Sequence, residues 1–117
     1  MTFKEYMHDA IERKPKLLYH VTFGKETIEN IKQNGLEPKL QTPQNFNGVF
    51  FTRTKQKALA IGRSIKQRRN INDIPMFVLT IDSSKLTKLF YDDLHASGVY
   101  TTEYVPASAI LSVEQVS

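Results

Sequence analysis

The chain has 117 residues, 40% hydrophobic and 24% charged, with five Gly and five Pro, a balance that fits one folded α+β domain and excludes a collagen-like or low-complexity chain. It has no cysteine and no tryptophan. Disulfide frameworks, thiolate zinc sites, iron-sulfur clusters and thiol catalysis are thereby excluded, a reducing cytosol fits, and three histidines and the carboxylates remain for any metal chemistry. No apolar run approaches the roughly 20 residues of a membrane helix, and residues 1–13 alternate charged with apolar side chains, unlike a signal-peptide core. A cytoplasmic protein without a membrane partner is expected. The net charge of +4 is unevenly spread: between Glu37 and Asp73 there is no acidic residue, while Lys39, Arg53, Lys55, Lys57, Arg63, Lys66, Arg68 and Arg69 are all basic. An anionic partner near this segment is expected.

Thr2 to Glu5 form a capping-box pattern, and Phe3, Met7, Ala10 and Ile11 recur at helical spacing, which predicts a first helix over residues 1–14 that ends before Pro15. Residues 17–22 (LLYHVT) predict a short strand bearing His20. Residues 25–34 predict a helix with Ile28 and Ile31 on one face, stopped by Gly35 and Pro38. The Asn-, Gln- and Pro-rich residues 40–47 predict a loop, and residues 49–52 (VFFT) a second strand.

Thr54 caps a third predicted helix that runs to about residue 69, with Ala58, Ile61 and Ile65 as its buried stripe and Lys55, Arg63 and Lys66 on the roughly opposite face. After a polar break at 70–74, residues 75–82 (PMFVLTID) are apolar on both faces and predict a central strand. Residues 83–97 fit neither pattern. Residues 99–105 and 110–116 predict two more strands around a turn at 106–109. About five strands and three helices make a single α+β domain with the later strands antiparallel.

His20 in an apolar strand fits a buried neutral histidine as well as a functional one. Glu103 lies among Val99, Tyr100, Tyr104 and Val105, where a carboxylate either reaches solvent or is held for a purpose. The 63–69 cluster (RSIKQRR) suits both a solvated helix end and a phosphate-binding surface. His8 and His95 lie in polar surroundings, and no glycine-rich phosphate loop or metalloprotease motif occurs.

LYHVT, GVFFT and TTEYV, in that order and with a helix after each of the first two, resemble the ADP-ribosyltransferase superfamily, in its His-Tyr-Glu branch with the poly(ADP-ribose) polymerases, diphtheria-toxin-like enzymes and small prokaryotic or phage members. His20 and Thr22 match the first-strand motif. Gly48, Val49, Phe50 and Phe51 match the second, with Phe for Tyr, and Glu103, Tyr104 and Val105 match the third.

The resemblance implies two small, mostly antiparallel sheets that form a cleft, NAD as co-substrate without a metal, and transfer of ADP-ribose to a protein or nucleic-acid target. Glu103 would be catalytic, Phe50 would stack on nicotinamide, and His20 and Thr22 would hold the adenosine ribose. The backbone of Val21, where many relatives have Gly, would meet the nicotinamide amide. On charge and nearness in sequence, Arg53 or the Lys55 end of the helix would meet the pyrophosphate, and Lys55, Arg63, Lys66, Arg68 and Arg69 would face the anionic target. Ile61 falls near a second stacking aromatic of the polymerase-like members. Thr101 stands where arginine-specific relatives carry Glu or Gln, which disfavours arginine as acceptor. Two alternatives need no turnover: an NAD-, nucleotide- or partner-binding module on this fold, and a small basic nucleic-acid-binding domain.

Overall fold

A computed structural model describes residues 15–41, 46–91 and 98–117. The helix expected over 1–14 lies outside them, as do His8, His95 and parts of the 40–47 and 83–97 stretches. The described residues form strands β1 (Leu17–Phe23), β2 (Lys39–Gln41), β3 (Phe46–Thr52), β4 (Met76–Asp82), β5 (Phe90–Tyr91), β6 (Gly98–Thr101) and β7 (Ile110–Gln115), with helices α1 (Lys25–Asn34) and α2 (Lys55–Arg69). The strands join into one antiparallel sheet in the order β5-β6-β3-β1-β4-β7, with β2 paired to β3. None of the described helices is long and apolar enough to cross a membrane.

Several expectations hold in detail. Strand β4 is central, between β1 and β7, and Met76 to Leu79 are all buried because both faces of the strand are covered. Helix α1 buries Ile28 and Ile31 and stops at Gly35, whose φ of 79° lies in the region that favours glycine. Its Cβ position is 2.1 Å from the Val105 carbonyl oxygen, so a side chain has no room there. Thr54 Oγ1 accepts from the Lys57 backbone N–H at 3.2 Å and caps α2.

Other expectations are corrected. The polar run at 40–47 contributes strand residues at both ends, because the β2–β3 hairpin pairs Lys39 with Gly48 and Gln41 with Phe46 through the backbone, whatever the side chains. The buried line of α2 is Ala58, Gly62 and Lys66; Ile61 and Ile65 are only half-buried. Glycine sets this line, for the Gly62 Cβ position lies 2.3 Å from Met76 Sδ and 2.8 Å from Val21 Cγ2, so only a bare backbone packs this closely. Strand β6 stops at Thr101, not at 105: Val105 leaves the sheet to form a reciprocal backbone pair with Leu36, at 2.9 Å in both directions.

Alternation along the strands assigns the faces. Leu18, Val49, Phe51, Phe77, Leu79, Ile81 and Val99 pack with Ile28 and Ile31 of α1 into one core. The other face carries Val21, Val78 and Met76 beneath α2. The two sheets implied by the resemblance are one sheet here, joined at its middle by a single residue pair, Tyr19 with Thr52.

Candidate functional site

The single β1–β3 pair contrasts with seven consecutive pairs between β1 and β4, and His20 supplies the reason. If the β1–β3 register continued, Val21 would lie opposite Phe50, and the Phe50 carbonyl would take the Val21 N–H. That carbonyl instead bonds His20 Nδ1 at 2.7 Å. A side chain has entered where a ladder bond belongs, and the strands separate beyond it.

Backbone directions follow from parity. The Gly24 N–H donates to the Pro75 carbonyl at 2.9 Å, towards β4, and residues two apart on a strand share a side. The N–H and C=O of Thr22 and His20 therefore face β4, while those of Val21 and Phe23 face the opening between β1 and β3. Val21 thus offers this seam one donor and one acceptor. Its side chain packs against Gly62 of α2, so it fixes the helix and does not obstruct the seam.

A carbonyl oxygen can only accept, so the His20–Phe50 bond puts the proton on Nδ1 and leaves a lone pair on Nε2. Among the described residues Nε2 has no partner. Burial holds the His20 pKa below its ordinary value of 6.5; the bond to Phe50 opposes this and Lys39 adds to it. The ring is neutral at pH 7, edge-on to Phe51 with centroids 6.0 Å apart, and Thr22 shares its face.

Phe50 turns to the α2 face, where its ring meets Tyr100 at 5.3 Å, and Tyr100 meets Phe90 at 5.3 Å. The three half-buried rings cross β3, β6 and β5 in register. Helix α2 packs mainly on β1 and touches both β3 and β4. Its Lys55 reaches Glu114 at the β7 edge, and Lys66 Nζ reaches Ser117 Oγ at 2.6 Å just beyond β7, so that flank faces β7. At about 100° per residue, the opposite flank carries the half-buried Ile61 and Ile65 and faces β3, while Lys57 and Arg68 are exposed further round the helix. The seam thus lies between the aromatic rings and the isoleucines of α2.

Glu103 lies in a bend two residues beyond β6, not on a strand. It is held from three directions: Thr87 Oγ1 donates to its carboxylate, its N–H donates to Thr101 Oγ1 at 3.2 Å, and Val105 is locked to Leu36. Because Thr101 pairs with Val49, Glu103 follows the end of β6 beside the part of β3 that has left β1.

The sequence-predicted residues therefore separate. The His20 side chain meets the main chain of Val21 and Phe50 at the seam, but the Phe50 ring lies on the α2 face whereas His20 and Thr22 lie on the α1 face, and Glu103 lies in the bend beyond β6. Arg53 lies at the exposed turn from β3 into α2. Arg68 and Arg69 are exposed near the helix end, and Arg63 is on the flank towards β7. Lys55 is paired with Glu114. Lys66, expected on the exposed face, is buried and bonds Ser117 and the Asn72 carbonyl, because it follows Gly62 by one turn on the sheet side.

Thr87, Tyr100 and Phe90 carry no signal of their own in the sequence. Tyr100 shares the face of Phe50 through the β3–β6 register, which no local pattern gives, and nothing local pairs Thr87 with Glu103, 16 residues away. No group of three metal-ligating side chains occurs among the described residues. Compared with models of known protein families and with curated proteins, the chain matches none.

Proposed function

We propose that this domain is an NAD-dependent ADP-ribosyltransferase whose site lies where its single sheet is joined by one residue pair. The observation that carries the proposal is the seam: the His20 side chain takes the Phe50 carbonyl and turns one backbone donor and one acceptor of Val21 into an opening. A carboxamide, itself one donor and one acceptor, complements that pair, and the Phe50 ring beside it gives a nicotinamide a face to stack on. The lone pair on His20 Nε2 accepts from a ribose hydroxyl, with Thr22 on the same face.

NAD supplies the bond to be broken. The bond from ribose C1′ to the nicotinamide nitrogen breaks with its electron pair leaving on nicotinamide, and the acceptor forms a new bond to C1′ as it loses a proton. Positive charge develops on the ribose between these events. The Glu103 carboxylate, held by Thr87, stabilises that charge. Arg53 at the end of β3 suits the pyrophosphate.

Binding of NAD without turnover is the second reading, favoured by the aliphatic Ile61 on the flank where a second aromatic would close over the ring. Purified protein and Glu103→Gln, incubated with NAD and cell lysate, separate the two. Transfer predicts nicotinamide release and labelled ADP-ribose on a target, with turnover reduced at least about 100-fold in the variant. Equal turnover in both proteins, or none in either, rejects the catalytic assignment; a rise in melting temperature with NAD but no release supports the second reading.

A further inference from the structure

We propose that this domain forms a two-fold dimer through the outer edge of β7, pairing antiparallel with the same strand of a second copy. Strand β7 ends the sheet, with β4 on one side and, among the described residues, no element on the other. The Val116 N–H donates to the Met76 carbonyl at 2.8 Å, towards β4. By parity the N–H and C=O of Glu114 and Ser112 also face β4, opposite Val78 and Thr80, whereas those of Val113 and Gln115 face outward. Open edges are commonly guarded by lysine, proline or a bulge. Strand β7 (ILSVEQ) has no lysine, arginine, proline or glycine, and its register shift lies towards Ile110, which leaves Ser112 to Gln115 regular. Leu111 is 56% exposed beside this edge, and the one charge of the strand, Glu114, is already paired with Lys55.

The strand itself selects a second copy as its partner. Antiparallel pairing about a two-fold axis at Val113 engages all of β7: Val113 exchanges both backbone bonds with its copy, Leu111 lies opposite Gln115, and Ser112 lies opposite Glu114. No like charges meet. An axis at Glu114 would instead set the two carboxylates opposite each other. The axis at Val113 is perpendicular to the sheet, so β1 and its copy lie five strand spacings, about 24 Å, apart. The seam, beyond β1, stays clear of the interface, and the inference does not depend on NAD chemistry. One strand edge buries less than the roughly 800 Å² per partner of a standard interface, so the dimer is expected to depend on concentration.

Sedimentation equilibrium from about 10 μM to about 1 mM is the test. The mean mass is expected to rise from that of one chain towards that of two and to go no further. Ser112 and Gln115 are exposed, so changes there spare the core. Gln115→Pro deletes an outward N–H and no bond to β4, and is expected to keep the chain monomeric. Ser112→Glu, which faces the copy's Glu114, is expected to weaken the dimer about tenfold, and Ser112→Lys to strengthen it. Circular dichroism checks folding; if Gln115→Pro unfolds, the two Ser112 variants decide the matter. The proposal is overturned if the chain stays monomeric up to about 1 mM, which would leave the edge to a foreign strand. It is also overturned if the mass passes that of two chains, or if the Ser112 variants shift the equilibrium in the same direction or not at all.

Discussion

His20 decides more than any other single residue, through one bond from Nδ1 to the Phe50 carbonyl. Burial lowers its pKa below 6.5, so the fold holds it neutral while the unfolded chain takes up a proton near that value. Below pH 6.5 the unfolded state binds more protons than the native state. Stability is therefore complete above that pH and is lost as pH falls from there through the depressed native pKa. Thermal melting from about pH 7.5 to 5.5 should show a larger loss for wild type than for His20→Gln, which cannot titrate. Parallel losses in the two proteins would remove His20 from the balance. The same bond explains what the sequence could not supply. LLYHVT shows a histidine in a strand, for which a buried structural role is the first reading, because the carbonyl it takes lies 30 residues away.

Among the elements, α2 and β1 are coupled through Gly62. Ala at this position gains helix propensity of up to about 1 kcal/mol, but its methyl meets Met76 and Val21 at under 3 Å. Overpacking costs about 1–3 kcal/mol. Urea unfolding of Gly62→Ala should therefore show a net loss, and a more stable variant would mean that the Met76 side chain moves aside. Strand β1 makes a separate prediction. The Val21 amide, facing the seam, should exchange hydrogen for deuterium faster than the amides of His20 and Thr22, which face β4. Equal protection along β1 would mean that the ladder with β3 continues. Element types are largely legible from periodicity and caps: β1, both described helices, β4 and β7 follow from local pattern. The buried face of α2 is not, because period alone favours the isoleucines, whereas close approach of the sheet favours glycine. Nor is the end of β6, because TTEYV keeps strand composition while Val105 pairs with Leu36, a partner invisible to any local window.

At the scale of the molecule, the two halves of the sheet meet at one residue pair, yet they share a core. Leu18, Leu79 and Ile81 on one side of the seam pack with Val49, Phe51 and Val99 on the other, beneath Ile28 and Ile31 of α1. The core crosses the seam on the α1 face. Unfolding should therefore be a single transition, with tyrosine fluorescence and far-ultraviolet circular dichroism superimposing in urea. Separated curves would mean that the halves melt independently. The charge pattern also resolves at this scale. The basic stretch is not one surface: Lys66 is internal and Lys55 is tied to Glu114, whereas Lys57, Arg68 and Arg69 are exposed on α2. The bond that opens the seam uses a main-chain oxygen of residue 50 and none of its ring. The two demands on the site are thus divided between positions: residue 20 sets the gap, while residue 50 can exchange one aromatic ring for another, Phe for Tyr included, and retune what stacks there while the gap stays as it is.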